Sequence, residues 1–317
     1  MRVLNPHLEG LGTAVVFPGQ GCQYVGMGAT LAALAPVVAD TLAEADEVLG
    51  LPLAAIIATG PPDRLSETAV AQPAILAVSV AMWRLLVQVC PEMRPVAAAG
   101  HSLGEYSALV ASGSLDYADA LRIVHLRGRI VEGALEPGTG AMVAILGLDR
   151  DTLVHLCAQA AQGRVLEPAC WNAPGQGVVA GHADAVERLE ACAREAGAST
   201  VVRLRVSAPF HTSLLSPAGA ALGRALGAVR LRPPGFPVVQ NVDASARSDP
   251  ERIRAGLVAQ VSRPVRWEEC VRTLVDLGAV RVVEVGPGAT LCGLVRRIDR
   301  RLSVVALDRF DWDALQP

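Results

Sequence analysis

The chain has 317 residues and a net charge of -3, so its composition gives no reason to expect a nucleic acid or an anionic membrane surface as partner. Hydrophobic residues make up 51% of the chain but aromatic residues only 3%, which predicts a large core built mainly from Ala, Val and Leu. All 28 basic residues are arginine, which excludes a Walker loop and a lysine Schiff base.

The seven cysteines are dispersed without a CxxC pair, so we expect reduced thiols, with neither disulfides nor a metal site. Apolar runs are interrupted by charged residues or proline before about 18 residues, the length that spans a bilayer. The first residues do not join a basic start to an apolar stretch, as a signal peptide would. We therefore expect a cytoplasmic protein without a membrane segment.

The first part of the chain predicts one strand followed by helices. Residues 13–17 form an apolar strand that leads into the turn PGQG, in which Gln20 could offer its backbone N–H or its amide to a site. Helical patterns follow over 29–49 and 65–89. Pro73 lies inside the second pattern and predicts a helix start or a kink there.

The central motif is GHSLG at residues 100–104, between an apolar run at 95–99 and a helical pattern at 103–112. A serine on a sharp turn between a strand and a helix exposes its hydroxyl close to backbone N–H groups that can hold an oxyanion. The motif thus predicts Ser102 as a nucleophile. The alternative is a chance match, since the chain contains 30 glycines.

Two predicted helices after the GHSLG turn lead the chain away from Ser102 and back. The first climbs by about 15 Å, and eleven residues after Asp116 the second has descended by about 16 Å, at 1.5 Å per residue. Arg127 then lies near the level of Ser102, where its guanidinium could bind a carboxylate through two charge-assisted hydrogen bonds. A salt bridge to a surface acid is the alternative.

From Gly138 onward, strands and helices alternate. We predict strand, helix, strand, helix and strand at 141–146, 151–161, 177–180, 183–196 and 200–206. Two β-α-β halves of this kind predict a ferredoxin-like subdomain at 138–206. It would interrupt a larger α/β domain made of 1–137 and 207–317, whose later strands are predicted at 236–242, 280–285 and 302–307.

A serine nucleophile needs a base, and six histidines are candidates. His211 follows Ala-Pro-Phe where the subdomain returns the chain to the larger domain, which predicts a position at the mouth of a cleft between them. His101 neighbours the serine, but successive residues there should point apart. The other four lie in the N-terminal segment, in predicted helices or in the subdomain: His7, His125, His155 and His182. Stabilisation of a turn is the alternative role for His211.

Ten motifs occur in order along nearly the whole chain and resemble those of the malonyl-CoA:acyl carrier protein transacylases and of polyketide synthase acyltransferase domains. They are FPGQG (17–21), AQPA (71–74), GHSLGEYSALVASG (100–113), LRGR (126–129), GAMVAILG (140–147), NAPGQGVVAG (172–181), APFH (208–211), NVDA (241–244), RPVRW (263–267) and VGPGATLCGL (285–294). The resemblance implies an α/β-hydrolase-like large domain, an inserted ferredoxin-like subdomain and an active site in the groove between them.

The resemblance also implies roles for the matching residues. Ser102 would be the nucleophile and His211 the base. In this family a backbone carbonyl, here that of Gln260, steadies the histidine in place of an acid. The backbone N–H groups of Gln20 and Leu103 would form the oxyanion hole.

The implied substrate-binding residues include an arginine for the free carboxylate of a malonyl group. They are Arg127, Gln72, Phe210, Asn172 and Val131. Leu103 after the serine and Phe210 before the histidine resemble malonyl-selecting members, because a bulky Phe210 would crowd an α-methyl branch.

Two departures from the family pattern leave the acyl group open. Val131 replaces a methionine that is often found four residues after the arginine, and Cys170 replaces an asparagine that is common two residues before Asn172. Both changes could widen the pocket or make it less accessible to water. The alternatives are an acyltransferase that moves a larger acyl group between carrier proteins, a hydrolase that clears stalled carriers, and an inactive scaffold that docks carriers.

The implied reaction moves an acyl group from coenzyme A to the phosphopantetheine thiol of an acyl carrier protein, in fatty acid or polyketide biosynthesis. An acyl-serine is needed because two bulky carriers cannot occupy one narrow groove together. We expect no metal and no resident cofactor. The expected partners are acyl-CoA and an acyl carrier protein, and we expect a monomer that binds neither nucleic acid nor membrane.

Overall fold

Two β-sheets and the helices around them make up the chain in this computed structural model, which describes residues 12–206, 208–310 and 312. Each sheet has its own set of buried apolar side chains. The sheets therefore belong to two packed units that meet along a cleft.

The larger sheet has six strands, of which five are parallel. In spatial order they are Ser303–Ala306 (β10), Arg281–Glu284 (β9), Thr13–Phe17 (β1), Ala97–Gly100 (β2), Val238–Val239 (β7) and Ala246–Arg247 (β8). Only β8 runs antiparallel to its neighbour. The central strands β1 and β2 are buried throughout, as continuous apolar runs in parallel sheets are. Their carboxyl ends, where α/β proteins bind ligands, lead into Gln20 and Ser102.

Eleven α-helices of the described chain belong to the unit of the larger sheet. They are Ala29–Leu34 (α1), Pro36–Leu49 (α2), Leu53–Thr59 (α3), Pro62–Ser66 (α4), Thr68–Val89 (α5), Gly104–Ala111 (α6), Tyr117–Glu132 (α7), Ser216–Gly227 (α10), Pro250–Gln260 (α11), Trp267–Asp276 (α12) and Thr290–Ile298 (α13). Short 3₁₀ turns occur at Ser213–Leu215 and Leu307–Arg309.

The smaller sheet has four antiparallel strands and two helices. In chain order they are Gly140–Leu146 (β3), Arg150–Ala161 (α8), Leu166–Ala173 (β4), Gln176–His182 (β5), Ala183–Glu195 (α9) and Thr200–Arg203 (β6). The spatial strand order is β4-β5-β3-β6. Buried residues such as Val143, Leu153 and Leu189 pack the sheet against α8 and α9.

Strand β4 is missing from the sequence-based prediction. Its apolar pattern is interrupted by Glu167 and Pro168, and no strand is predicted between the helix at 151–161 and the strand at 177–180. In the structure β4 pairs with β5 across the turn at Pro174 and Gly175. Pairing across this turn therefore outweighs a weak local pattern.

The predicted strand at 236–242 is too long, because β7 has only two residues. After Val239 the backbone N–H groups leave the ladder: that of Gln240 donates to Ser245 O, and that of Asn241 donates to the carboxylate of Glu105. The strand thus ends where its backbone bonds to the turn at Ser245 and to the buried side chain of Glu105.

The predicted helix start at Pro73 is wrong, because α5 begins at Thr68 and continues through this proline. Proline has no N–H to donate to the carbonyl four residues earlier, that of Ala69. The structure supplies a different donor, since His125 Nδ1 lies 2.8 Å from this oxygen. A side chain from α7 therefore satisfies the carbonyl that Pro73 leaves free.

Helix α5 is long and apolar enough to cross a membrane by length and composition, although 83% of its apolar window is buried inside the protein. Helix α7 packs closely against it, since a Cβ at Gly128 would collide with the backbone of Ala69. This burial is typical of a core helix.

Candidate active site

Ser102 lies on a tight turn between the end of β2 and the start of α6. Its φ of 51° is in the left-handed region, which non-glycine residues rarely adopt. A Cβ at Gly100 would collide with Gly104, and a Cβ at Gly104 would collide with Phe17 O. The turn is thus a nucleophile elbow, whose glycines allow the close approach of neighbouring backbone.

Ser102 Oγ lies 2.8 Å from His211 Nε2. On the other side of the ring, His211 Nδ1 lies 2.7 Å from the carbonyl oxygen of Gln260. Because a carbonyl only accepts, Nδ1 carries the proton and Nε2 faces the serine with its lone pair. The imidazole is therefore oriented to accept the proton of Ser102 Oγ.

His211 is 3% exposed, and burial, together with the nearby charge of Arg127, lowers its pKa to about 3. The neutral imidazole is the form that can take up a proton. The burial that keeps His211 neutral therefore keeps it in the reactive form well below neutral pH.

The depressed pKa of His211 predicts a pH-dependent loss of stability. The unfolded histidine, with a pKa near 6.5, binds a proton that the folded one excludes until about pH 3, so stability falls as pH falls through this window. Between pH 7.5 and 5.5, the wild type should lose about 1 kcal/mol of unfolding free energy relative to His211→Asn. Urea unfolding at both pH values measures the difference.

Asparagine suits this position because His211 has a φ of 64°, which asparagine tolerates. Ser102→Ala is the control: it retains the histidine and should follow the wild-type pH dependence. Glu105, whose raised pKa acts in the opposite direction, is present in all three proteins and cancels from the comparison. Equal slopes for wild type and His211→Asn would contradict the prediction.

Arg127 is a buried cation beside the serine, 2% exposed. Its Nη1 donates to Gln72 Oε1 at 2.9 Å, and its Nη2 lies 3.2 Å from Ser102 Oγ and 3.4 Å from Gln260 Oε1. No carboxylate among the described residues forms an ion pair with it, and its Nε has no partner there. Burial lowers the pKa of Arg127 because it disfavours the charged form of the guanidinium. An anion bound beside Arg127 would therefore stabilise that charge.

Gln20 and Leu103, whose backbone N–H groups are the predicted oxyanion hole, line the same cleft as Ser102. The turn after β1 abuts the elbow, since a Cβ at Gly19 would collide with the carbonyl of His101. Within the part of the chain that the structure describes, the N–H groups of Gln20 and Leu103 donate to no other residue. The side chain of Gln20 is held apart from them by a 3.2 Å bond from Nε2 to Thr68 Oγ1. Both N–H groups are thus free to donate to a ligand.

An open cleft of about 890 Å³ runs between the two units and contains Ser102 and His211. Its wall on the smaller sheet includes a row of small apolar side chains in register across three strands, namely Cys170, Val178 and Ala144. The cleft is large enough for a ligand of drug size or greater.

The remaining site residues predicted from sequence divide into two groups. Phe210 and Asn172 line the cleft, and Asn172 Oδ1 lies 2.8 Å from His101 Nε2. Gln72, Gln260 and Val131 are not among the described residues that line it. Gln72 and Gln260 contact Arg127, whereas Val131 is 1% exposed in the main core.

The other histidines do not approach Ser102 Oγ within hydrogen-bond distance among the described residues. The ring of His101 points to Asn172, and burial lowers its pKa. His125 donates to Ala69 O, and His182 lies beside Val165 in the smaller unit. His7 lies outside the described residues.

Sequence reasoning missed two polar residues next to the elbow, Asn241 and Glu105. Asn241 Oδ1 accepts from the N–H of Ser102 at 2.8 Å, and Asn241 Nδ2 donates to Gly100 O at 2.7 Å. Glu105 is a fully buried carboxylate in the first turn of α6. A charged residue on the inner face of an apolar helix was the available signal for Glu105.

Residues 14–303 match the family of the acyl transferase domain. This match, together with the hydrogen-bonded pair of Ser102 and His211, defines the protein as an acyltransferase with a Ser-His dyad.

The chain is 45% identical to the malonyl CoA-acyl carrier protein transacylase of Escherichia coli K12 over 295 residues, which cover 93% of this chain and 95% of that protein. Identity to the Haemophilus influenzae enzyme of the same name is 43% over 295 residues, with the same coverage. The chain therefore belongs to the malonyl CoA-acyl carrier protein transacylase family.

The fold of the chain superimposes closely on solved structures of malonyl-transferring enzymes. An acyl carrier protein S-malonyltransferase from Vibrio cholerae superimposes with a TM-score of 0.92 at 45% identity, covering 96% of this chain and 100% of that one. A malonyl-transacylase in complex with its type II PKS acyl carrier protein superimposes with a TM-score of 0.92 at 44% identity, covering 94% of this chain and 96% of that one.

Proposed function

We propose that the protein transfers a malonyl group from coenzyme A to the phosphopantetheine thiol of an acyl carrier protein, through an ester on Ser102, in fatty acid or polyketide biosynthesis. The observation that carries this proposal is the position of Ser102 Oγ, 2.8 Å from His211 Nε2 and 3.2 Å from Arg127 Nη2. A malonyl group attached to this oxygen has its free carboxylate within reach of Arg127, a buried cation that forms no ion pair with the residues that the structure describes.

The first half-reaction begins when Ser102 Oγ attacks the thioester carbonyl and its proton moves to His211 Nε2. The carbonyl oxygen becomes an oxyanion, which the N–H groups of Gln20 and Leu103 would stabilise. As the C–S bond breaks, His211 returns the proton to the leaving thiolate of coenzyme A. The malonyl group remains as an ester on Ser102.

The second half-reaction runs in the opposite direction with a different thiol. After coenzyme A leaves, the phosphopantetheine thiol of the carrier gives its proton to His211 and attacks the ester. The C–O bond then breaks and Ser102 Oγ takes the proton back. Since Gln260 O holds Nδ1–H throughout, one nitrogen of His211 performs all four proton transfers.

Arg127 gives the reaction its selectivity for a dicarboxylic acyl group. In the structure its guanidinium donates to Gln72, Ser102 and Gln260. A malonyl carboxylate would replace the weaker of these contacts with charge-assisted hydrogen bonds, which contribute roughly 1.5 to 3 kcal/mol each. Gln72 would keep the guanidinium aligned while it binds.

We propose that Phe210 limits the size of the acyl group. Phe210 lines the cleft directly before His211, and its ring would crowd an α-methyl branch. We therefore propose malonyl in preference to methylmalonyl. Cys170 and Asn172 on the smaller sheet also line the cleft and would contact the acyl-thioester chain.

We extend the proposal to the finer features of the molecule. The strand, turn and helix around Ser102 support an α/β-hydrolase-like large domain at 1–137 and 207–317. The alternation of β3, α8, β4, β5, α9 and β6 supports a ferredoxin-like subdomain at 138–206. Because the dyad supplies the proton transfers, we propose that the enzyme needs no resident cofactor. We also propose a monomeric, cytoplasmic protein that binds neither nucleic acid nor membrane.

The test is an acyl panel read by intact mass. Malonyl-, methylmalonyl-, acetyl- and hexanoyl-CoA are each added to the enzyme, and a holo acyl carrier protein is added afterwards. We expect the malonyl adduct to form fastest on the enzyme and then to move to the carrier. A preference for hexanoyl, or hydrolysis without transfer to the carrier, would overturn the proposal.

A further inference from the structure

Beneath the elbow lies a buried carboxylate to which the proposed reaction assigns no role. Glu105 is 0% exposed and follows Ser102 by three residues. Its Oε1 accepts from Gln240 Nε2 at 2.9 Å. Its Oε2 accepts from the backbone N–H of Asn241 at 2.8 Å and from Gln260 Nε2 at 3.0 Å. Three donors from two other segments of the chain thus converge on one side chain of α6.

Two of these donors belong to residues that hold the dyad. Asn241 Oδ1 accepts from the N–H of Ser102, and Asn241 Nδ2 donates to Gly100 O, so this side chain spans the elbow. Gln260 Nε2 donates to Ser102 O at 3.0 Å, while the backbone carbonyl of Gln260 orients His211. The nucleophile and the base are therefore tied to the same two residues.

We infer that Glu105 is a positioning residue for the dyad: by fixing Asn241 and Gln260, it sets the distance and angle between Ser102 Oγ and His211 Nε2. The inference rests on the proposed function, since it assigns Glu105 a part in that reaction. Glu105 would act without touching the substrate, because it lies below the elbow and is not among the described residues that line the cleft.

The shape and charge of the site suit a carboxylate. An isosteric glutamine could accept from Asn241 and Gln260 with its one oxygen, but its amide nitrogen would then face Gln240 Nε2, another donor. Gln240 could rotate its amide to accept, since its Oε1 has no partner among the described residues, but it would then lose the bond from Nε2 to Ile253 O. A glutamine should therefore still hold Asn241 and Gln260 in part, whereas an alanine cannot hold either of them.

Burial raises the pKa of Glu105 to about 7, while its hydrogen bonds and the charge of Arg127 lower it. The other titratable groups that interact with it are Tyr106 on the same helix and Cys270 on α12, and burial raises the pKa of both. The ionised form is the one that accepts three hydrogen bonds, and it predominates as the pH rises above about 7.

The experiment compares Glu105→Gln and Glu105→Ala in the full chain. We expect kcat for malonyl transfer to fall about 10-fold in the glutamine variant and about 100-fold in the alanine variant, with KM within about threefold of wild type, because a displaced nucleophile costs rate more than binding. Inactivation by phenylmethanesulfonyl fluoride, which needs Ser102 and His211 but no carboxylate clamp, should slow by the same factors.

Glu284 provides the matched control. It is also 0% exposed, and it accepts two backbone N–H groups, those of Leu291 and Cys292, at the start of α13. Glu284→Gln and Glu284→Ala should lower thermal stability to a similar extent while kcat stays within about threefold of wild type.

Three outcomes would overturn the inference: kcat of Glu105→Ala within threefold of wild type, an equal loss of kcat in the Glu284 variants at matched stability, or a malonyl-specific loss with unchanged inactivation by the sulfonyl fluoride. If Glu105→Ala does not fold, the glutamine variant decides, and a kcat within twofold of wild type contradicts the inference. If wild type forms no malonyl ester, the proposed function fails, yet the inactivation rates still test the positioning of the dyad.

Discussion

Replacing Ser102 by alanine should abolish the covalent malonyl-enzyme and lower transfer to the carrier by at least about 10³-fold. The hydroxyl is the only group of this residue that meets His211, and without it the imidazole has no proton to remove and the thioester has no nucleophile. The backbone should remain in place, because the Ser102 N–H still donates to Asn241. Intact-mass measurement after mixing with malonyl-CoA detects the adduct.

The matched control is Ser66→Ala. Ser66 also lines the cleft but is exposed, and its hydroxyl donates to Pro62 O, away from the dyad. This variant should acylate at the wild-type rate. A malonyl adduct of undiminished yield on Ser102→Ala would place the ester on another residue and would refute the proposed mechanism.

The parts of this molecule that could be predicted from sequence are those fixed by local geometry. The elbow needs a strand, two glycines and a helix within about a dozen consecutive residues, and all of these are visible as pattern. The approach of Arg127 to Ser102 follows from the rise of two helices joined by a short turn. The structure places Arg127 Nη2 3.2 Å from Ser102 Oγ, within the reach expected from that count.

The features that sequence reasoning missed depend on contacts between distant segments. Strand β4 forms because β5 pairs with it, although its own pattern is weak. The carbonyl freed by Pro73 is satisfied by His125, which is 56 residues away from Ala69. No local pattern states which donor will meet a given acceptor across such a separation.

The same reason explains why the supports of the dyad were incompletely predicted. Glu105 meets Asn241 and Gln260 across 136 and 155 residues of sequence. The resemblance to a known family indicated the carbonyl of Gln260 but gave no role to its side chain. That side chain donates to Ser102 O, Glu105 and Asn241 together, which only the folded arrangement reveals.

Replacing Arg127 by glutamine should separate malonyl from acetyl loading. A malonyl carboxylate would lose two charge-assisted hydrogen bonds of at least about 1.5 kcal/mol each, which corresponds to a decrease of at least about 100-fold in kcat/KM. Acetyl-CoA has no carboxylate to lose, so its loading should stay within about threefold of wild type. Rates of adduct formation with each thioester, measured by quenched-flow and intact mass, give the ratio directly.

Two further variants make the result specific to the guanidinium. Arg129, exposed two residues later on α7, is the control, and Arg129→Gln should leave both rates unchanged. Arg127→Lys keeps the charge but loses the planar pair of donors, so its malonyl rate should lie between those of wild type and Arg127→Gln. Because Arg127 also contacts Ser102 Oγ, a general disturbance of the nucleophile would slow both thioesters equally. Equal losses for malonyl and acetyl would therefore exclude the carboxylate clamp. A selective loss is the result expected of a buried cation that forms no ion pair within the described part of the chain.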